Sequence, residues 1–341
     1  MKAIFFVHTH ITFYVSKAII KSLNLRSQDY LFIKSRNYNN ILEDVNAVDL
    51  SEINEKLKCL PYCSFKSRIE LIKEVDEHVE SASDGDTFRL FVPHIGDPLM
   101  QALARHSKCH EVNFIEEGAN CYSKEFFRQP GFSIKQMIKS ILNFVDVHRK
   151  SRYGLYKQFE FEKELKGRLG RYYTISHKGF QYADTQNVVV LKLIPEELDY
   201  TLESDAIIVL EAAIENGQIG DQTLYFESVR QMVDSVMAMA GGNNLAVKFH
   251  PAQSFQVKEG VMKIITDMGF TPAVIPSEIP FEQLLLNSKN LRVAGFTTSL
   301  LYYAKLLGHR VISYEDLILR DDCFKRFRTY NDFDLKGLLN S

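Results

Sequence analysis

The chain has 341 residues, 45% hydrophobic and 25% charged, with a formal net charge of −2. That is the make-up of a folded protein with apolar surface for two cores, and it lacks the basic excess that nucleic-acid binding demands. The five cysteines have no paired spacing, which excludes a disulfide framework or zinc finger and fits a reduced compartment.

The first apolar run, Lys2–Val7, reads as a strand, and Phe13–Leu23 reads as a helix. His8-Thr9-His10 separates them, so neither a signal peptide nor a spanning helix is expected, and a cytoplasmic location follows. His8 and His10 would lie at a strand's carboxyl end, where open α/β sheets bind ligands, and they are candidate acceptor-side residues. They could also be a fragment of a metal site, but no third ligand is identifiable, and no metal is expected.

Asp29–Ile33 is a second predicted strand, Leu50–Leu57 and Phe65–Ser81 are helices, and Thr87–Pro93 is a third strand. Asp84-Gly85-Asp86 precedes that strand and reads as a turn in preference to a metal-holding acid pair. His94–Pro98 leads into a helix at Leu99–Arg105. The strand Glu111–Ile115 then delivers Glu116-Glu117-Gly118 to the sheet's edge. Two adjacent carboxylates repel, and partial burial equips one of them to accept a proton near neutral pH; a solvated turn is the competing reading.

Residues 135–178 carry eleven Lys or Arg against four acids, interleaved with Ile, Leu, Phe and Tyr. Such a window could lie on an anionic membrane or hold an acidic polysaccharide, or it could be a solvated pair of helices. Val188–Leu193 is a strand, and Ile194-Pro195-Glu196-Glu197 marks the passage between halves, which divides the chain into 1–195 and 196–341.

The second half restarts with the strand Ala206–Leu210, then Glu211 and the loop Asn216–Gly220. The helix Thr223–Met239 follows, and Asn244–Phe249 is a strand running into His250-Pro251. Pro251 stops the strand and holds His250 at the sheet's rim. Thr271–Ile275 is a strand, and Pro280-Phe281-Glu282 opens a helix with proline and acid where a first turn favours them. The run Leu291–Gly308 passes from a strand to a helix through Thr297, Thr298 and Ser299, at unpaired N–H groups and the positive end of the helix dipole, a place that suits phosphate. Arg310–Ser313 is the last strand. Strands alternating with helices in both halves predict parallel α/β sheets, two Rossmann-like domains facing across a cleft.

The order E-E-G, K-F-H-P, P-x-E and T-T-S resembles bacterial sialyltransferases, namely the lipooligosaccharide sialyltransferases and capsular polysialyltransferases, over roughly Glu116 to Gly308. The resemblance implies a GT-B fold and an inverting, metal-independent transfer from a CMP-activated sialic or related nonulosonic acid to a surface glycan. It implies a general base at Glu116 or Glu117, with Glu116 favoured, and His250 acting on the CMP phosphate. It makes Thr298 and Ser299 the phosphate-binding pair beside Thr297, makes Glu282 a ribose contact, and places Gly118, Lys248 and Pro251 around the donor. No cofactor is expected beyond the donor substrate, and the protein could form a homodimer or lie peripherally on the inner membrane. The alternatives are a GT-B transferase using CMP-Kdo or a UDP-sugar, or a non-catalytic glycan- or membrane-binding protein.

Overall fold

The structure, a computed structural model, describes residues 1–36, 46–60, 65–123, 165–181, 183–330 and 333–340. Among these, 1–117 and 165–193 form one compact unit, and 118–123 with 194–340 form a second. Most of the basic window, 135–164, lies outside the described residues.

The first unit is built on seven parallel strands: β1 (Lys2–Val7), β2 (Tyr30–Lys34), β3 (Ala47–Asp49), β4 (Phe88–Val92), β5 (Cys109–Ile115), β6 (Leu169–Thr174) and β7 (Val188–Val190). They pair in the order β3-β2-β1-β4-β5-β6-β7. The order reverses between β1 and β4, so the loops leaving those two strands diverge and open a crevice at their carboxyl ends. Among the described residues, four helices connect the strands: α1 (His10–Ser22), α2 (Ser51–Cys59), α3 (Phe65–Ala82) and α4 (Pro98–Ala104). Thr9 caps α1 through its side chain, which accepts from the Thr12 N–H and pins the helix start directly behind His8.

Strands buried on both faces read as unbroken apolar runs, and β1 buries Ala3 through Val7 completely. Phe5 stacks on Phe91 of β4 with ring centroids 4.4 Å apart, and Phe114 of β5 stacks on Tyr172 of β6 at 5.3 Å. Each such buried ring contributes about 1.5–3 kcal/mol. Asp84 and Gly85 have positive φ and form the expected turn; the acids flanking it meet amino groups, Asp84 that of Lys2 and Asp86 the chain's N-terminus.

The second unit has five parallel strands: β8 (Ala206–Leu210), β9 (Asn244–Phe249), β10 (Thr271–Val274), β11 (Arg292–Gly295) and β12 (Arg310–Ser313). Their order, β10-β9-β8-β11-β12, reverses between β8 and β11. Helices α5 (Gln222–Ala240), α6 (Phe255–Asp267), α7 (Phe281–Asn287) and α8 (Ser299–Leu306) alternate with the strands, and α9 (Glu315–Ile318), α10 (Asp322–Tyr330) and α11 (Leu335–Leu339) follow β12. The core of this unit gathers Ile208, Tyr225, Val229, Val247, Val261 and Phe296 between sheet and helices.

Candidate active site

In the first unit, three adjacent strands deliver the functional side chains. His8 follows β1, His94 stands two residues past β4, and Glu116 and Glu117 follow β5. The strand period of two sends the neighbouring acids to different places. Glu116 is fully buried, its backbone N–H bonds to the Tyr173 carbonyl, and its Oε2 accepts the Thr174 hydroxyl at 2.7 Å and the Ile175 N–H at 2.8 Å. It fastens β5 to β6.

Glu117 has quite different company. Its Oε1 is hydrogen-bonded to Nε2 of His8, and its Oε2 lies 3.8 Å from Nε2 of His94. His94 Nδ1 accepts the Gly96 N–H at 2.9 Å, so the neutral ring carries its proton on Nε2, toward the acid. Burial pulls the His94 pKa below its ordinary value, and the charge of His8 adds to this; Glu117 and Asp97 oppose it. Among the described residues, His8, His94 and Glu117 are the His/Cys/Asp/Glu group with a metal's ligand types in reach of one another. With the Gly96 N–H on Nδ1, neutral His94 turns its Nε2–H toward Glu117, while His8 is bonded to the other carboxylate oxygen. His10 is the first residue of α1. Sequence reasoning passed over His94; the signal was a His-x-Gly at a strand's carboxyl end.

In the second unit, the residue after β8 reaches the residues after β11. Glu211 Oε1 accepts both the Thr297 N–H at 3.0 Å and the Thr297 hydroxyl at 2.9 Å, while its Oε2 is buried without a hydrogen-bond partner. Burial holds this carboxyl above the usual carboxylate range, and the charge of Glu315 pushes the same way against the Thr297 bonds. Thr298 is the N-cap of α8, its hydroxyl accepting the Leu300 N–H at 3.3 Å, and Ser299 is the first helical residue. Gly118 has φ +123°, and a Cβ there would stand 3.3 Å from the Ser299 hydroxyl oxygen. The positive φ is one that residues with a Cβ rarely adopt, which favours glycine here.

His250 follows β9, with its backbone N–H bonded to the Leu210 carbonyl and to Gln253 Oε1. Its Nδ1 accepts the Ala252 N–H at 3.1 Å. The neutral ring therefore carries its proton on Nε2 at the sheet's rim. Burial lowers the His250 pKa below its ordinary value, with Glu215 countering the shift and Lys258 reinforcing it. Pro251 ends β9.

Lys248 departs from the expected donor contact. Its ammonium is buried and donates to the carbonyls of Pro276, Ser277 and Ile279, the last at 2.7 Å, so its three N–H groups are spent on the chain itself. Burial depresses its pKa to about 8. Lys248 thus supports the loop that enters α7. Glu282, the second residue of α7, is also buried, and burial raises its pKa against the pull of Lys248.

Two solved structures show the same fold. MnaA of S. aureus, in a UDP co-structure, is similar over 92% of this chain and 79% of its own, with 12% identity and a TM-score of 0.51. A protein assigned as UDP-N-acetylglucosamine 2-epimerase from Listeria monocytogenes is similar over 92% of this chain and 78% of its own, with 12% identity and a TM-score of 0.50. Two Rossmann-like units in tandem with these likenesses are the GT-B organisation. The chain belongs to the alpha-2,8-polysialyltransferase family, whose model matches residues 3–315, so the protein is a glycosyltransferase of the sialyltransferase type. No curated protein matches the chain in sequence. Among the described residues, no helix is long and apolar enough to cross a membrane.

Proposed function

We propose that this glycosyltransferase moves a sialic acid, or a related nonulosonic acid, from its CMP-activated form to a glycan hydroxyl, with inversion and without a metal. The observation that carries the proposal is the position of Glu117, a carboxylate held between two imidazoles at the carboxyl ends of adjacent strands. Glu117, in place of the buried and spoken-for Glu116, takes the proton of the acceptor hydroxyl. The acceptor oxygen forms its bond to the anomeric carbon as the bond from that carbon to the CMP phosphate oxygen breaks, and the electron pair leaves with CMP. On the leaving-group side, His250 donates its Nε2–H to the phosphate, and the Thr298 and Ser299 hydroxyls with the Ser299 N–H bind the other oxygens. Thr297, tied to Glu211, shapes the turn that presents them.

The test is thermal stabilisation by CMP, UDP, ADP and GDP, followed by incubation with CMP-sialic acid and a set of galactosides and sialosides, with products read by mass. Stabilisation by CMP alone and a mass gain of one or more sialyl residues are expected. Preferential stabilisation by UDP would replace the donor assignment, and glycan binding without any nucleotide response would replace the enzyme with a binder. The basic window 135–178 is the motive for peripheral membrane contact. Association with anionic liposomes that weakens with salt is expected, and salt-independent association would remove it.

A further inference from the structure

We propose that His8 is a positioning residue for the transfer: its buried imidazole holds Oε1 of Glu117, so that Oε2, on the His94 side, is the oxygen that receives the acceptor's proton. The proposal rests on reading Glu117 as the base.

The His8 side chain is wholly buried, and its backbone N–H is bonded to Thr12 Oγ1 in the first turn of α1, so the ring is set by the fold and has no room to swing. Its Nδ1 is buried with no hydrogen-bond partner. A proton there would be an N–H sealed away from any acceptor, and it would leave Nε2 as a bare lone pair facing a carboxylate oxygen. Both faults cost more than an unsatisfied acceptor does. The proton therefore sits on Nε2 and is donated to Glu117.

His94 approaches the other carboxylate oxygen with its tautomer fixed by Gly96, and its ring is partly open to solvent, at 24% side-chain exposure. Glu117 itself keeps 10%. The two rings do unequal work: the sealed one sets the carboxylate's rotation, and the accessible one marks the side from which a hydroxyl can come. Asp97 and Arg36 also face His94 electrostatically, with opposite effects on its charge. A base that can rotate away from its substrate loses rate without losing substrate affinity, because ground-state binding is made elsewhere.

The experiment compares His8→Leu, His8→Gln and Glu117→Gln in full-length protein. Transfer from CMP-sialic acid to an α2,8-linked sialic acid oligomer is measured, with the CMP-induced thermal shift as a check on folding. His8→Leu is expected to lower kcat about 10–100-fold with KM for CMP-sialic acid and the thermal shift unchanged. His8→Gln, whose amide N–H can stand in for Nε2–H, recovers most of the loss. Where the Leu variant does not fold, His8→Asn takes its place, its amide being too short to reach Glu117. Wild-type kcat in the Leu or Asn variant, or equal impairment of that variant and His8→Gln, overturns the positioning role. So does a turnover that EDTA abolishes and Zn²⁺ restores, which would make the cluster a chelate. Wild-type kcat in Glu117→Gln instead removes the base itself, a separate result from the failure of His8.

Discussion

The two sheets reverse their strand order in the same way, and the residues at the two reversals do opposite kinds of work. In the first unit, His8 after β1 reaches Glu117 after β5, and the link is between imidazole and carboxylate with solvent near one side. In the second, Glu211 after β8 reaches Thr297 after β11, and the link is a carboxyl bonded to a hydroxyl and an N–H at a helix mouth. In the proposed reaction the first arrangement orients the carboxylate that accepts a proton. The second shapes the turn that enters α8, and a helix mouth suits an anion. Both units also use one device, a strand-end histidine whose Nδ1 accepts the N–H of the second residue on, Gly96 or Ala252, so that Nε2–H points away from the chain. What differs is the target: His94 meets Glu117, whereas no described residue takes the Nε2–H of His250.

The sharpest way to break this comparison is to remove the acid. Glu117→Gln is expected to lower kcat by about 10²–10⁴-fold while CMP still raises the melting midpoint, as measured by steady-state transfer and thermal shift. His250→Ala should cost about 10²-fold in kcat and should also shrink the CMP-induced shift, because its proposed partner is the nucleotide. An unchanged shift would separate His250 from the phosphate. Glu116→Leu belongs to a different class of effect. It takes the acceptor from the Ile175 N–H and leaves the Thr174 hydroxyl only the Ser176 carbonyl, and a loss of about 1–3 kcal/mol in denaturant unfolding is expected, with kcat per folded molecule close to wild type.

The smallest effect sharpens the second reversal. The Glu211 pKa is raised in the fold above its ordinary 4.5, so the native state keeps the proton longer than the unfolded chain does. Stability from this group is fully present below about 4.5 and is lost as pH rises through the folded value. Glu211→Gln does not titrate, so its midpoint should gain on wild type as pH climbs from about 4.5. A constant gap across that range would mean that Glu211 is ionised in the fold.

Much of this was open to reading before the coordinates. Apolar runs such as Ala206–Leu210 announced strands, and Pro251 and the trio Thr297–Ser299 marked where strands end and helices begin, because these signals are local. What escaped was set by distant pairing. β6 begins with Leu169, Gly170 and Arg171, a poor strand signal, and Gly170 is there because a Cβ would collide with Asn113 and Glu111 of β5. Without β6, nothing in the sequence could tell that Glu116 would bond to Thr174 and Ile175 while Glu117 would meet His8 and His94. Lys248 misled for a related reason: a lysine beside a His-Pro suggests an anion contact, and only the return of residues 276–279 across the strand end shows its charge already answered by carbonyls.

That lysine also couples parts that the chain keeps far apart. It sits two positions ahead of His250 on β9 and grips the segment that leads to Glu282 on α7. The strand end that carries His250 and the segment that enters α7 are thereby joined through a single ammonium.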